Sequence, residues 1–109
     1  MNIGIVSYKG SRIIQLSGDI DMYSSPELRT ELMGLIKKKV SPLYVDFKGV
    51  SYIDSSGIAT FVEGLKSMKT YDGKLRLFCI PHGIMEIFRF SKLDRVFEIY
   101  GSIDDAINS

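Results

Sequence analysis

Hydrophobic positions in the chain follow two different periods. Ile3 to Tyr8 and Arg12 to Ser17 read as short β-type runs, with Lys9-Gly10-Ser11 between them as a hairpin turn. The period then lengthens. Leu28, Leu32, Leu35 and Ile36 are spaced i, i+4, i+7, i+8, which is one apolar face of a helix. That helix opens at Ser24-Ser25-Pro26-Glu27. Either Ser24 and Glu27 form a capping box, or Ser25 caps and Pro26 takes the first helical position. Lys37, Lys38 and Lys39 crowd its end, where cations suit the helix dipole, and read as a solvated terminus.

Leu43 to Phe47 is apolar on both faces and suggests an interior, parallel strand. Gly49 to Asp54 reads as a connection. A second helix begins near Ser55–Gly57 and carries Ile58, Phe61, Val62, Leu65 and Met68 at helical spacing, ending at Asp72-Gly73. Leu75 to Ile80 is another strand, broken by Pro81-His82-Gly83. Ile84, Ile87 and Phe88 line a third helix, Val96 to Tyr100 is a late strand, and Ser102 to Asp105 caps a brief terminal helix. Strands alternating with helices imply crossovers and a largely parallel sheet. The opening hairpin makes it mixed. The expected fold is α/β, a mixed four- to five-stranded sheet packed with about four helices.

Composition bounds the function. A chain of 109 residues is one domain, residues 1–109, able to bury a single core. Hydrophobic residues at 45% and charged residues at 25% exclude dominant disorder. Lys plus Arg at 14 against Asp plus Glu at 13 leaves a formal net charge of +1, without the footprint of a nucleic-acid binder or a polybasic membrane anchor. No apolar run approaches the ~18–20 residues of a membrane span, and the start of the chain lacks the pattern of a signal peptide. One cysteine, Cys79, permits no internal disulfide and, inside an apolar run, reads as a buried inert thiol. One histidine, His82, leaves no His/Cys cluster for zinc and is a thin basis for a catalytic triad. No phosphate-binding glycine loop is present. The expectation is a cytoplasmic, monomeric protein that is not an enzyme and holds no metal or cofactor.

The candidate chemistry lies at Asp54-Ser55-Ser56-Gly57, where a strand-side segment meets a helix. One of these side chains caps the helix. Capping needs neither an acid beside two serines nor a glycine in the first turn, where Gly costs stability but allows close approach of another group. The first N–H groups of a helix are unpaired and partly positive. A phosphate on Ser55 or Ser56 would be solvated by them and would add about −1.5 to −2 charge, enough for a binding switch.

Leu16-Ser17-Gly18-Asp19-Ile20-Asp21, Pro26-Glu27-Leu28 and Val45 to Ile58, with Phe90 to Phe97 near the end, resemble the STAS domain and, more narrowly, the bacterial anti-sigma factor antagonists. The resemblance implies a small non-catalytic α/β domain. Its implied partner is an anti-sigma factor with GHKL-type serine kinase activity, which it sequesters to free a sigma factor. The resemblance also implies phosphorylation of Ser55, the first serine after Asp54, and its reversal by a PP2C-type phosphatase. Asp21 matches the acidic position beside the phosphoacceptor. The implied binding face joins Asp21, Met22, Tyr23 and Ser24 to Asp54, Ser55, Ser56, Gly57 and Ile58, with Pro81-His82-Gly83 as an extension. Met22 and Tyr23 fit helix-entry packing equally well, Met22 as a staple. After Gly57 the sequence Ile58-Ala59-Thr60 departs from the antagonists' usual Leu-Gly-Val. Ala59 in place of that second Gly resembles the STAS subunits of phospholipid-transport ABC ATPases, the alternative reading.

Overall fold

The computed structural model describes residues Met1–Ser109. Strands β1 (Asn2–Tyr8) and β2 (Ser11–Ile20) form the opening hairpin, followed by helix α1 (Ser25–Lys37) and strand β3 (Leu43–Ile53). Helix α2 (Ser55–Lys69), strand β4 (Leu75–Phe78) and helix α3 (His82–Phe90) come next. A 3-10 turn at Leu93–Arg95 leads to strand β5 (Glu98–Tyr100) and helix α4 (Ile103–Ile107). All five strands form one sheet in the order β1-β2-β3-β4-β5. The β1–β2 pair is antiparallel and the other neighbours are parallel. This is the expected mixed α/β architecture.

Successive side chains on a strand point to opposite faces. Ile14, Leu43, Val45, Phe47, Leu75 and Leu77 enter the main core with residues of α1, α2 and α3. Their neighbours Ile13, Tyr44 and Phe78 pack instead with Ala106 of α4. The predicted stripe of α1 is buried: Leu28 and Leu32 completely, Leu35 and Ile36 nearly so. Phe47 at the sheet centre lies 5.2 Å from the Phe61 ring of α2 and 6.1 Å from Phe88 of α3. The core thus ties both helices to β3, whose far end carries the candidate residues.

Several local expectations are corrected. Gly49 to Ile53 is strand, not connection, because β2 also runs on to Ile20 and pairs with it, Ser17 opposite Gly49 and Ile20 opposite Ile53. Register shifts at Gln15/Ser17 and Gly18/Asp19 accommodate that extension. A Cβ at Gly49 would stand 2.7 Å from Ser17 Cβ, so the close strand approach requires glycine there. Strand β4 stops at Phe78 because Cys79 turns into the left-handed region, φ 55°. Cys79 is therefore half-buried beyond the strand rather than inside the core, its thiol 3.4 Å from the Gly101 carbonyl. Burial still raises the pKa of that thiol. At the start of α1 neither proposed cap forms. Ser24 flanks the helix without capping it, and the helix begins at Ser25.

Candidate functional site

The extension of β2 and β3 determines what meets at the site. Ile20 and Ile53 are paired and buried, and the Asp54 amide donates to the Ile20 carbonyl at 3.1 Å. Asp21 follows Ile20 directly, and Asp54 follows Ile53. Two loops, Asp21–Ser24 and Asp54–Gly57, therefore emerge side by side from the same sheet edge. The residues predicted from two distant stretches of sequence are brought together.

Within the first loop, the Asp21 carboxylate accepts the amides of Tyr23 at 3.0 Å and Ser24 at 3.1 Å. The Ser24 hydroxyl donates to the Asp19 carbonyl and accepts the Asp21 amide, each at 2.9 Å. This local hydrogen bonding competes with capping and wins, which is why no capping box forms. The loop folded in this way leaves Met22 65% exposed and Tyr23 87% exposed. Met22 is therefore not a staple, and both side chains present apolar surface to solvent.

In the second loop the capping question resolves differently. Asp54 is extended and its side chain caps α2, accepting the Ser56 amide at 2.9 Å and the Gly57 amide at 3.3 Å. The Ser56 hydroxyl adds a short bond to the same oxygen, 2.6 Å. That hydroxyl, foremost, and then the backbone amides of Gly57, Ser56 and Met22 hold the Asp54 carboxyl below the usual carboxylate range, against a partial opposing effect of desolvation. The expectation that the first helix amides would solvate a phosphate is thus corrected for two of them: Asp54 already occupies those of Ser56 and Gly57. Ser56 is engaged and partly buried, whereas Ser55 is exposed and its hydroxyl has no hydrogen-bond partner.

Gly57 has a packing role that sequence reasoning left open. A Cβ there would stand 2.7 Å from Ile20 Cγ2 and 2.8 Å from Ile53 Cγ1. Glycine lets the first turn of α2 sit on the paired strand ends and so sets the height of Ser55 above the sheet.

One feature of the site was missed. A groove of about 680 Å³ runs between α2 and α3, starting at Ser55 and lined by Ile58, Val62 and Ile87. The signal was present in the α2 stripe, since Ile58 and Val62 are only half-buried while Phe61, Leu65 and Met68 fill the core. Pro81 and Gly83 border a smaller depression beside Ile53, next to that groove. His82 is the first residue of α3, its side chain 86% exposed, with a Glu86 carboxylate oxygen 3.9 Å from its Nε2. It hydrogen-bonds to neither serine, so no triad is assembled. The residues hold no grouping of His, Cys, Asp and Glu suited to a metal, and no helix is long and apolar enough to cross a membrane.

Known proteins share the family and the fold of this chain. The STAS domain family model matches residues 2–106. The anti-sigma-B factor antagonist of Bacillus subtilis strain 168 is 29% identical over 99 residues, covering 91% of this chain and 90% of that protein. The protein of the same description from Listeria monocytogenes is 31% identical over 86 residues, 79% of this chain and 75% of its own length. Among solved structures, the Bacillus cell fate determinant SpoIIAA in its phosphorylated form has the same fold, with a TM-score of 0.75 at 19% identity, covering 98% of this chain and 97% of that one.

Proposed function

The chain belongs to the STAS domain family, and we propose that it acts as an anti-sigma factor antagonist whose docking is switched at Ser55. The relatives it matches are regulatory binding proteins rather than enzymes. In this reading the chain sequesters an anti-sigma factor and so releases a sigma factor. The docking face joins Asp21, Met22, Tyr23 and Ser24 to the Asp54–Ile58 segment. Exposed Met22 and Tyr23 supply apolar contact area, and the carboxylates of Asp21 and Asp54 favour a basic partner surface.

The observation that carries the switch is the contrast between adjacent serines. Ser56 is spent on the Asp54 cap, while Ser55 is exposed and unbonded. A GHKL-type serine kinase activity in the partner would transfer the γ-phosphoryl group of ATP to Ser55 Oγ, releasing the hydroxyl proton and ADP. A PP2C-type phosphatase would hydrolyse the ester, returning the serine and inorganic phosphate. With the Ser56 and Gly57 amides already committed to Asp54, the phosphate on exposed Ser55 projects outward into the docking face. There a charge of about −1.5 to −2 beside Asp54 must be desolvated on docking. Each tenfold loss of affinity needs only about 1.4 kcal/mol, so no change of fold is required.

The matched relatives are antagonists, so the alternative of a phospholipid-transport ABC subunit is not favoured. Ala59, which prompted it, is an exposed helical residue and is accounted for by helix propensity. The test is capture of partners from the native cell with tagged wild type, Ser55→Ala and Ser55→Asp, with phosphopeptide mass spectrometry on the same samples. The reading expects an anti-sigma kinase with wild type and Ser55→Ala, its loss with Ser55→Asp, and phosphate on Ser55. Phosphate on Ser56 instead, or equal capture by all three forms, overturns it.

A further inference from the structure

The net charge of +1 conceals an uneven distribution of charge. Asp19, Asp21, Glu27 and Asp54 stand at the end of the molecule where β2 and β3 finish. The opposite end, where α1 and α2 stop and β3 and β4 begin, carries Lys37, Lys38, Lys39, Lys69 and Lys74, all exposed. Tertiary structure gathers these lysines from two stretches of chain. The Lys74 amide donates to Ser41 Oγ at 2.9 Å, and its carbonyl accepts the Leu43 amide at 2.8 Å. The Tyr71 hydroxyl donates to the Val40 carbonyl at 3.2 Å, so the tail of α1 lies against the α2–β4 turn. None of the five lysines has a carboxylate in ion-pair range.

Apolar tips share this end. Helix α3 leaves the end of β4 and returns to the start of β5, which is parallel to β4, so its last turn comes back toward the lysines. Phe90 in that turn is 96% exposed, and Val96 is 49% exposed. Lys69, Lys74 and Val96 line one common groove, together with the acidic Asp72 and Glu98. Lys92 and Arg95, with Asp94 as the one acid, lie in the segment between Phe90 and Val96, and the lysines of this end outnumber its carboxylates.

We propose that this face binds the surface of an anionic lipid bilayer, with the lysines against headgroup phosphates and Phe90 and Val96 at the interface. Clustered lysines are attracted to an anionic leaflet without needing a defined geometry, and apolar side chains set among them find their reward at the acyl boundary. Lysine is a point charge, without the planar fork by which arginine reads individual phosphates. A nucleic-acid strand fits less well, because Phe90 stands alone and offers no stacking platform for successive bases. The lysine end is opposite the Ser55 end, so a bilayer-bound molecule keeps its docking face toward solvent. The proposal is thus independent of the phosphorylation reading.

The test is flotation of the full chain with phosphatidylcholine vesicles, with and without about 30% phosphatidylglycerol, at low and high salt. Anionic lipid is expected to raise the bound fraction at least ~10-fold, and about 0.5 M salt to abolish the gain. The combined variant Lys37→Gln, Lys38→Gln, Lys39→Gln changes exposed side chains only and should lose most of the gain, with its fold checked by circular dichroism. Phe90→Ser should weaken binding about tenfold while keeping the salt dependence. Equal binding to neutral vesicles, no binding, or full binding by the triple-Gln variant overturns the proposal. So does displacement from vesicles by a single-stranded oligonucleotide at equal charge concentration, which would assign the face to nucleic acid.

Discussion

Helices α1 and α2 start from neighbouring strand ends with similar residues, yet the two starts are built differently. Each has an aspartate directly after the strand and serines before the first full turn. At α1, Asp21 folds the loop on itself, Ser24 is bonded on both sides, and Ser25 is 7% exposed. No hydroxyl there is free to react. At α2, Asp54 is extended and caps the helix directly, taking Ser56 with it and leaving Ser55 outside. What an acid–serine cluster can do depends on which hydroxyl the acid consumes. Counting serines does not reveal it.

The hardest test of that contrast is charge at the free hydroxyl. Ser55→Asp is expected to weaken the complex with the purified anti-sigma partner about 100-fold, about 2.8 kcal/mol, by titration calorimetry. Ser24→Ala, which disturbs the other start without adding charge, should cost less than about tenfold. Next is the packing beneath α2. Gly57→Val would push a side chain into Ile20 and Ile53 and should destabilise the fold by about 2 kcal/mol in urea titration. Gly34→Ala in α1, where an added Cβ meets nothing within 4 Å, should stabilise it by ~0.5–1 kcal/mol.

Smaller effects separate the two serines of α2. Ser56→Ala removes the 2.6 Å bond to Asp54 and should cost about 1 kcal/mol. Ser55→Ala should change stability by less than ~0.5 kcal/mol, since that side chain is exposed and unbonded. Equal losses from both would erase the distinction on which the proposed switch rests. The last test is pH. Asp54 has a folded pKa below its unfolded one, so its contribution is present at neutral pH and is lost as pH falls below about 4. Asp54→Asn keeps an oxygen for the amides but cannot titrate, so it should make the acid limb of the stability curve shallower, the lowered Glu63 and Asp104 carboxyls supplying the rest.

Much of this was legible in the residues. The apolar spacing from Leu28 to Ile36 and from Ile58 to Met68 specified two helices and their buried sides, because helical period is a local property. The continuous apolar run at Leu43 announced an interior parallel strand, and that at Leu75 a further strand, since an apolar run is local as well. The serines after Asp54 marked the candidate site, and the family resemblance singled out Ser55.

Other features had no local signal. That Gly49 to Ile53 is strand depends on a partner, β2, some thirty residues earlier, reached only through two irregularities of register. That Gly57 is demanded by Ile20 and Ile53 follows from how α2 lies on those paired ends. Which serine is free turned on the direction of one carboxylate, and the gathering of lysines opposite the proposed docking face turned on where two helices stop. Sequence alone determined periodicity, burial stripes and the residue types at the site, since these follow from neighbours along the chain. Pairing, close approach and the fate of each hydrogen bond were decided only in three dimensions, because they depend on groups that meet after the chain has folded.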